Sequence, residues 1–278
     1  MTLNVDALNP RFFVALPLAA GQLLALPAGP ARHVQVLRLQ PGDDVLLFNG
    51  DGQDWPAQVV QMGRQQVQLR IEAALAVDRE LPLAVTLALA VPANERMDML
   101  VEKASELGVT LIQPLISSRS VLRLSGERAK RKQAHWQAVA VAACEQCGRA
   151  RIPQVLPMLP LSAWLQGLPH PKRQPEQQVA ADPGQHAPKG PPAESTRWLL
   201  SLGPDARSPA AMPAIGAGLC VLSGPEGGWT AAEEAAARAS GFVPVGLGPR
   251  TLRADTAPLS VLAWLSLQAS AGHLRRPA

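Results

Sequence analysis

The stretch LAVTLALAV (83–91) constrains the fold more than any other part of the chain, because only Thr86 interrupts its apolar run. A strand with one wet face alternates in polarity; a strand covered on both faces does not, and such strands belong mainly to parallel sheets. The residues that follow place Met97, Leu100, Val101, Ala104 and Leu107 at three- and four-residue intervals and stop at Gly108. That spacing predicts a helix with a glycine at its end. VTLIQPLI (109–116) then reads as a second buried strand. Strand, helix and strand in this order need a crossover connection, so the chain from Pro82 onward is expected to be α/β with a parallel sheet. RWLLSLG (197–203), GLCVLSG (218–224) and VPVGLG (243–248) supply further strands. A long helix is expected from Glu127 to about Glu145 and a last apolar one from Thr256 to about Ala271. Between them, Thr230 and Glu233 fit a capping box that opens a helix closing at Gly241.

The first eighty residues have another rhythm. FFVAL (12–16), DVLLFNG (44–50), DWPAQVVQM (54–62) and QVQLRIEAAL (66–75) are short strand candidates separated by the turn signals PGDD, NGDG and MGRQ. Strands at this spacing suggest a small β-barrel. Two domains are therefore expected, 1–80 and 81–278, a division that suits 278 residues. Residues 170–196 are rich in Pro, Gln and Gly with hardly an apolar anchor, and an unfolded insertion is expected there.

A net charge of +4 does not by itself define a nucleic-acid binder, but it is unevenly spread. From Arg119 to Arg151 there are eight basic residues against Glu127 and Glu145, whereas 1–80 is slightly acidic. Three cysteines suit a reducing compartment, so a cytoplasmic protein is expected. Cys144 and Cys147 supply only two of the four ligands zinc usually takes, and no metal is expected. Residues 12–31 look superficially like a secretory segment, but Asp6 precedes them and Pro17 interrupts them. No run reaches the roughly 18 apolar residues of a membrane span, so no membrane partner is expected.

Chemistry concentrates in GPEGGW (224–229) and GLGPRTLRADTA (246–257), each at the end of an apolar strand. Open α/β sheets place their ligand crevice there. Glycines let a ligand approach the backbone closely. The spacing fits neither the G-x-G-x-x-G fingerprint nor a Walker loop, which disfavours phosphate cradling.

LSGPEGGWTAAE (222–233) followed by LGPRTLRADTA (247–257) resembles the C-terminal signature of the ribosomal RNA small subunit methyltransferase E family. RFFV (11–14), HVQVLRLQPGDDVLLFNGDG (33–52), ERMDMLVEKASELGVTLIQPLISSRSV (95–121) and WQAVAVAACEQCGRARIPQV (136–155) resemble its other blocks in the same order. The resemblance implies a PUA-like barrel followed by a SPOUT-type domain with a trefoil knot. It also implies S-adenosylmethionine as cofactor, N3 of a uridine in 16S ribosomal RNA of the small subunit as target, and a homodimer. Carried onto matching positions, the cofactor pocket includes Leu202, Gly203, Gly224, Glu226, Gly227, Leu247, Gly248 and Leu252. Arg253 is the candidate cation beside the uracil and Asp255 the nearest candidate base, although ADT stands where the family is expected to show a Thr-Glu pair. Arg11, Arg38, Arg119, Arg149 and Arg151 are the candidate RNA contacts. Two alternatives stand beside this reading: an RNA-binding protein that has lost its chemistry, and a SPOUT enzyme acting on another RNA atom such as a 2′-hydroxyl.

Overall fold

The computed structural model describes residues 9–63, 66–92, 96–120, 124–169, 191, 195–216 and 218–272. The chain divides into two compact units, Met1–Glu80 with Val141–Ile152, and Leu81–Ala140 with Pro153–Ala278.

The first unit contains β1 (Arg11–Phe13), β2 (Leu23–Ala25), α1 (Ala28–Val36), β3 (Asp44–Phe48), β4 (Gln53–Met62), β5 (Val67–Ile71) and β6 (Leu75–Ala76). Its sheet runs β1-β3-β4-β5-β2, with β6 on β4. All these pairings are antiparallel except β1 with β3. Alternation sets the faces: Val67, Leu69 and Ile71 point into the core, while Gln68 and Arg70 between them do not. Gly50 and Gly52 turn β3 into β4 at φ of 94° and 92°, where a side chain would be strained. β2 and α1 were not foreseen from the sequence. α1 opens on AGP, a poor helix signal, and forms because Ala31 and Val34 are buried in the unit's core.

Residues 141–152, which the sequence division assigns to the second domain, belong to the first unit. Hydrogen bonds hold them there. Arg11 donates from Nη1 to the Cys144 carbonyl at 2.9 Å and from Nη2 to Asp54 at 2.5 Å. Arg79 donates to the Gly148 carbonyl at 2.7 Å and reaches the same Asp54 at 3.3 Å. The Phe13 amide donates to Glu145 at 2.8 Å, and Arg149 pairs with Glu80.

The second unit contains β7 (Ala84–Ala90), α2 (Arg96–Glu106), β8 (Leu111–Ile116), most of α3 (Gly126–Cys147), β9 (Gln154–Val155), β10 (Leu159–Pro160), α4 (Leu161–Gln166), β11 (Thr196–Leu200), β12 (Gly218–Ser223), α5 (Ala231–Ala239), β13 (Val243–Val245) and α6 (Thr256–Ser270). Its sheet, β10-β8-β7-β12-β11-β13 with β9 on β8, is parallel at every pairing. The α/β expectation for this region is met, with helices on both faces. In β12, Leu219 and Val221 pack with α2, α3 and α6, whereas Cys220 and Leu222 pack with α4 and α5. That two-sided burial is why LAVTLALAV and GLCVLS show no alternation. The Thr230–Glu233 capping box forms, and Gly241 follows α5 at φ 84°. Of the expected insertion, 170–190 and 192–194 lie outside the described residues, and Thr196 already begins β11. Among the described residues, no helix is long and apolar enough to cross a membrane.

Candidate functional site

β12, β11 and β13 are adjacent in the sheet and parallel, so their C-terminal ends open side by side. The loops that leave them line one cavity of about 580 Å³. Pockets for drug-sized ligands span roughly 300–1,000 Å³.

Most of the sequence-derived pocket residues meet here. Leu202, Gly203, Gly224, Glu226, Gly227, Leu247, Leu252 and Arg253 all line the cavity. Gly248, at φ 95°, shapes the third loop without lining it. Leu202 is 74% exposed, an unusual position for a large apolar side chain. Three of the glycines stand where a side chain would be tightly crowded. A Cβ on Gly203 would lie 3.0 Å from the Asp205 carboxylate, one on Gly224 3.1 Å from the Trp229 ring, and one on Gly227 3.3 Å from Arg119 Cδ. The Trp229 Nε1–H is buried without a partner in the cavity wall.

Two braces fix the loops. Arg119, in the turn after β8, donates to the carbonyls of Gly227 at 2.6 Å and Trp229 at 3.3 Å. The neighbouring Ser118 amide donates to Glu233 at 2.7 Å, and Glu233 closes the cap of α5. Burial alone would raise the Glu233 carboxyl, but the Ser118 and Thr230 hydrogen bonds outweigh it and hold the group below its ordinary value. Glu226 lies 3.6 Å from Arg96 of α2. Arg119, expected to contact RNA, thus holds the loop after β12.

Three other expectations need correction. Arg11 and Arg149 do not stand in solvent: Arg149 is 3% exposed against Glu80, and Arg11 holds the fully buried Asp54. An arginine enclosed by its own carboxylate is not free to neutralise a phosphate. Asp255 is the N-cap of α6, its carboxylate accepting the Thr256 amide at 2.9 Å, and it does not line the cavity. Arg38 and Arg151 are exposed, Arg38 in a left-handed conformation after α1 and Arg151 against Gly52.

The cavity also contains residues not singled out one by one from the sequence: Ser201 and Glu234, with Trp229 and Arg250 from inside the two glycine motifs. Trp229 closes the GPEGGW motif and Glu234 follows the capping glutamate, so both were adjacent to recognised signals. Ser201 had none. Cys144 is buried, and its thiol is pushed up first by the hydrogen bond with Cys147 and then by burial. Among the described residues, no three His, Cys, Asp or Glu side chains group as metal ligands.

A parallel α/β sheet with a glycine-lined cavity at its strand ends, joined to a mostly antiparallel sheet unit, defines a class that comparison makes specific. Residues 79–266 match the model of the RNA methyltransferase domain family, and 31–72 match the RNA methyltransferase PUA domain. The chain is 33% identical to the ribosomal RNA small subunit methyltransferase E of Synechocystis, over 84% of this chain and 68% of that protein. Among solved structures, it is similar to a ribosomal RNA small subunit methyltransferase E from Neisseria gonorrhoeae bound to S-adenosylmethionine. That match has a TM-score of 0.80 at 35% identity and covers 92% of this chain and 96% of that one. A Legionella pneumophila methyltransferase in complex with the same cofactor gives a TM-score of 0.80 at 31% identity, covering 94% and 98%. The chain belongs to the ribosomal RNA small subunit methyltransferase E family.

Proposed function

We propose that this chain uses S-adenosylmethionine to methylate N3 of one uridine in 16S ribosomal RNA of the small ribosomal subunit. The observation that carries the reading is the cavity at the ends of β11, β12 and β13, in a chain whose solved relative holds that cofactor in a matching fold. The residues present fit such a group. The cavity has the volume for it, glycines bring backbone to its walls, and the orphaned Trp229 Nε1–H is a donor awaiting an acceptor. When bound, the cofactor supplies a methyl group on a sulfonium centre.

Leu202, Leu247 and Leu252 offer apolar wall, while Gly203, Gly224, Gly227 and Gly248 keep the loop backbone bare. Glu226 faces the ligand's positive end across a partly solvated rim. Neutral uracil carries a proton on N3, which must leave before N3 can attack. Arg253, exposed in the cavity wall and permanently charged, stabilises the negative charge that this departure leaves on the flanking carbonyl oxygens. Asp255 is engaged in capping α6, and we assign it no proton transfer. Exposed Arg38 and Arg151, with Arg250 and Arg253 at the cavity, are cations placed to meet phosphates.

The same reading makes residues 1–80, completed by 141–152, a PUA-like RNA-binding β-barrel, and the rest of 81–278 a SPOUT domain with a trefoil knot. A homodimer is supported by α6, which has no charged residue from Thr256 to Ser270 and leaves Leu267 71% exposed. The three free cysteines support a cytoplasmic location.

The test is incubation with labelled S-adenosylmethionine and small subunits lacking native methylation, followed by mass spectrometry of the digested nucleosides. 3-Methyluridine is the expected product. A different methylated nucleoside would retarget the enzyme, and cofactor binding without transfer would favour the silent RNA-binding alternative.

A further inference from the structure

The loop after β11 is held by a closed ring of side chains that the cofactor reading does not use. The Gly203 amide donates to Ser201 Oγ at 3.0 Å, and that hydroxyl donates to Glu234 Oε1 at 3.1 Å. The same Glu234 oxygen accepts from Arg238 Nη2 at 2.8 Å. Arg238 then grips both oxygens of Asp205, at 2.7 Å and 3.2 Å. The backbone closes the ring, since Asp205 stands two residues after Gly203 in a turn where the Ala206 amide donates to the Gly203 carbonyl at 3.0 Å. Ser201, Leu202, Gly203 and Glu234 line the cavity; Arg238 and Asp205 do not, so they act only through their neighbours.

We infer that Arg238 is a positioning residue that pre-organises the Ser201–Gly203 segment for the cofactor, with Asp205 as its anchor. The inference rests on the cofactor reading above. Its members are partly solvated, with Arg238 at 35%, Asp205 at 56% and Glu234 at 29% side-chain exposure. Exposed ion pairs contribute little to global stability. Their effect here is local, because a loop already ordered loses less freedom when a ligand arrives. Arg238 suits the task better than lysine would, because its planar fork holds Asp205 with two bonds while a third reaches Glu234. The guanidinium also keeps the Asp205 carboxyl below its ordinary value, so the grip extends into mildly acidic solution.

The experiment measures cofactor affinity by calorimetry on the full chain without RNA, alongside apo melting temperature and steady-state kinetics. Arg238→Met, which keeps the aliphatic stem, is expected to weaken S-adenosylmethionine about ten-fold. KM for the cofactor should rise in step. KM for the small subunit, and kcat at saturating cofactor, should stay within about two-fold. The apo melting temperature should move by less than about 2 °C. Arg238→Lys should recover part of the affinity, and Asp205→Asn should weaken binding about three-fold without disturbing the fold. The double variant should bind no more weakly than Arg238→Met alone, since both break one ring. Unchanged affinity in folded Arg238→Met or Asp205→Asn overturns the positioning role while leaving the cofactor reading intact. A wild-type chain with no affinity for the cofactor overturns both.

Discussion

The two units use charge in opposite ways. In the first, Asp54 is fully buried and Arg149 nearly so, and each is met by an opposite charge: Arg11 and Arg79 for Asp54, Glu80 for Arg149. In the second, the buried charges Arg197 and Asp255 are answered by backbone instead, Arg197 by the Ser240 and Pro169 carbonyls and Asp255 by the Thr256 amide. Its ion pairs lie in partly solvated positions, Arg96 with Glu226 and Arg238 with Asp205 and Glu234. The first unit ties separated segments together with charged side chains beside its own apolar core. The parallel sheet gains its cohesion from two-sided apolar burial, and its surface charges are left to shape loops.

The contrast can be broken most severely at Asp54. Asp54→Asn leaves the guanidinium of Arg11 uncompensated in a buried setting, and the first unit should lose about 3–5 kcal/mol, read by denaturant unfolding. A loss below about 1 kcal/mol would mean that the buried ions are incidental. In the second unit, Arg253→Ala should leave stability and cofactor affinity near wild type yet lower kcat by about 10²–10³-fold. An unaltered kcat would end the role of Arg253 in stabilising the uracil anion. A further test concerns Cys220, whose thiol burial pushes up to about 12. A folded value above the unfolded one favours the protonated native state. Stability from this group is therefore complete below the ordinary thiol range and is lost as pH rises through that range toward 12. Between those limits, wild type should lose about 1.4 kcal/mol per pH unit relative to Cys220→Ala, followed by chemical denaturation. Parallel pH profiles of the two proteins would show that the thiol ionises without unfolding the sheet. The smallest effect is expected at Thr230, where Thr230→Ala removes a cap and should cost about 1 kcal/mol without changing the ion pairs of the first unit.

How much of this could be read from the sequence follows from the range of each interaction. The strands β7, β8, β11, β12 and β13, the Thr230–Glu233 box and the glycines ending α2 and α5 are local signals, and they appear where the pattern puts them, whereas the two-residue strands β9 and β10 carry no such signal. The cavity-lining glycines were legible because motif and strand end coincide. The fates of Arg11 and Arg149 were not: an arginine is spelled the same whether it faces solvent or a carboxylate 43 or 69 residues away. The ring at Ser201 was hidden for the same reason, its ties to α5 spanning 33 residues. The docking of residues 141–152 was equally invisible, because helical periodicity in α3 specifies a face and not the unit that receives it.

That docking also sets a timetable. The first unit needs carbonyls and side chains as far along as Arg149, including the Cys144 and Gly148 carbonyls that Arg11 and Arg79 hold. A chain made from its N-terminus therefore presents strands β1 to β6 well before the Cys144 and Gly148 carbonyls held by Arg11 and Arg79 exist. At about 5–20 residues per second, the roughly 70 residues between Glu80 and Ile152 take several seconds to synthesise. For that interval Arg11, Arg79 and Asp54 must form their first pairings without the segment that completes them. The first unit to be translated is thus the one that finishes late, and a single cut after Glu80 cannot release it as a module.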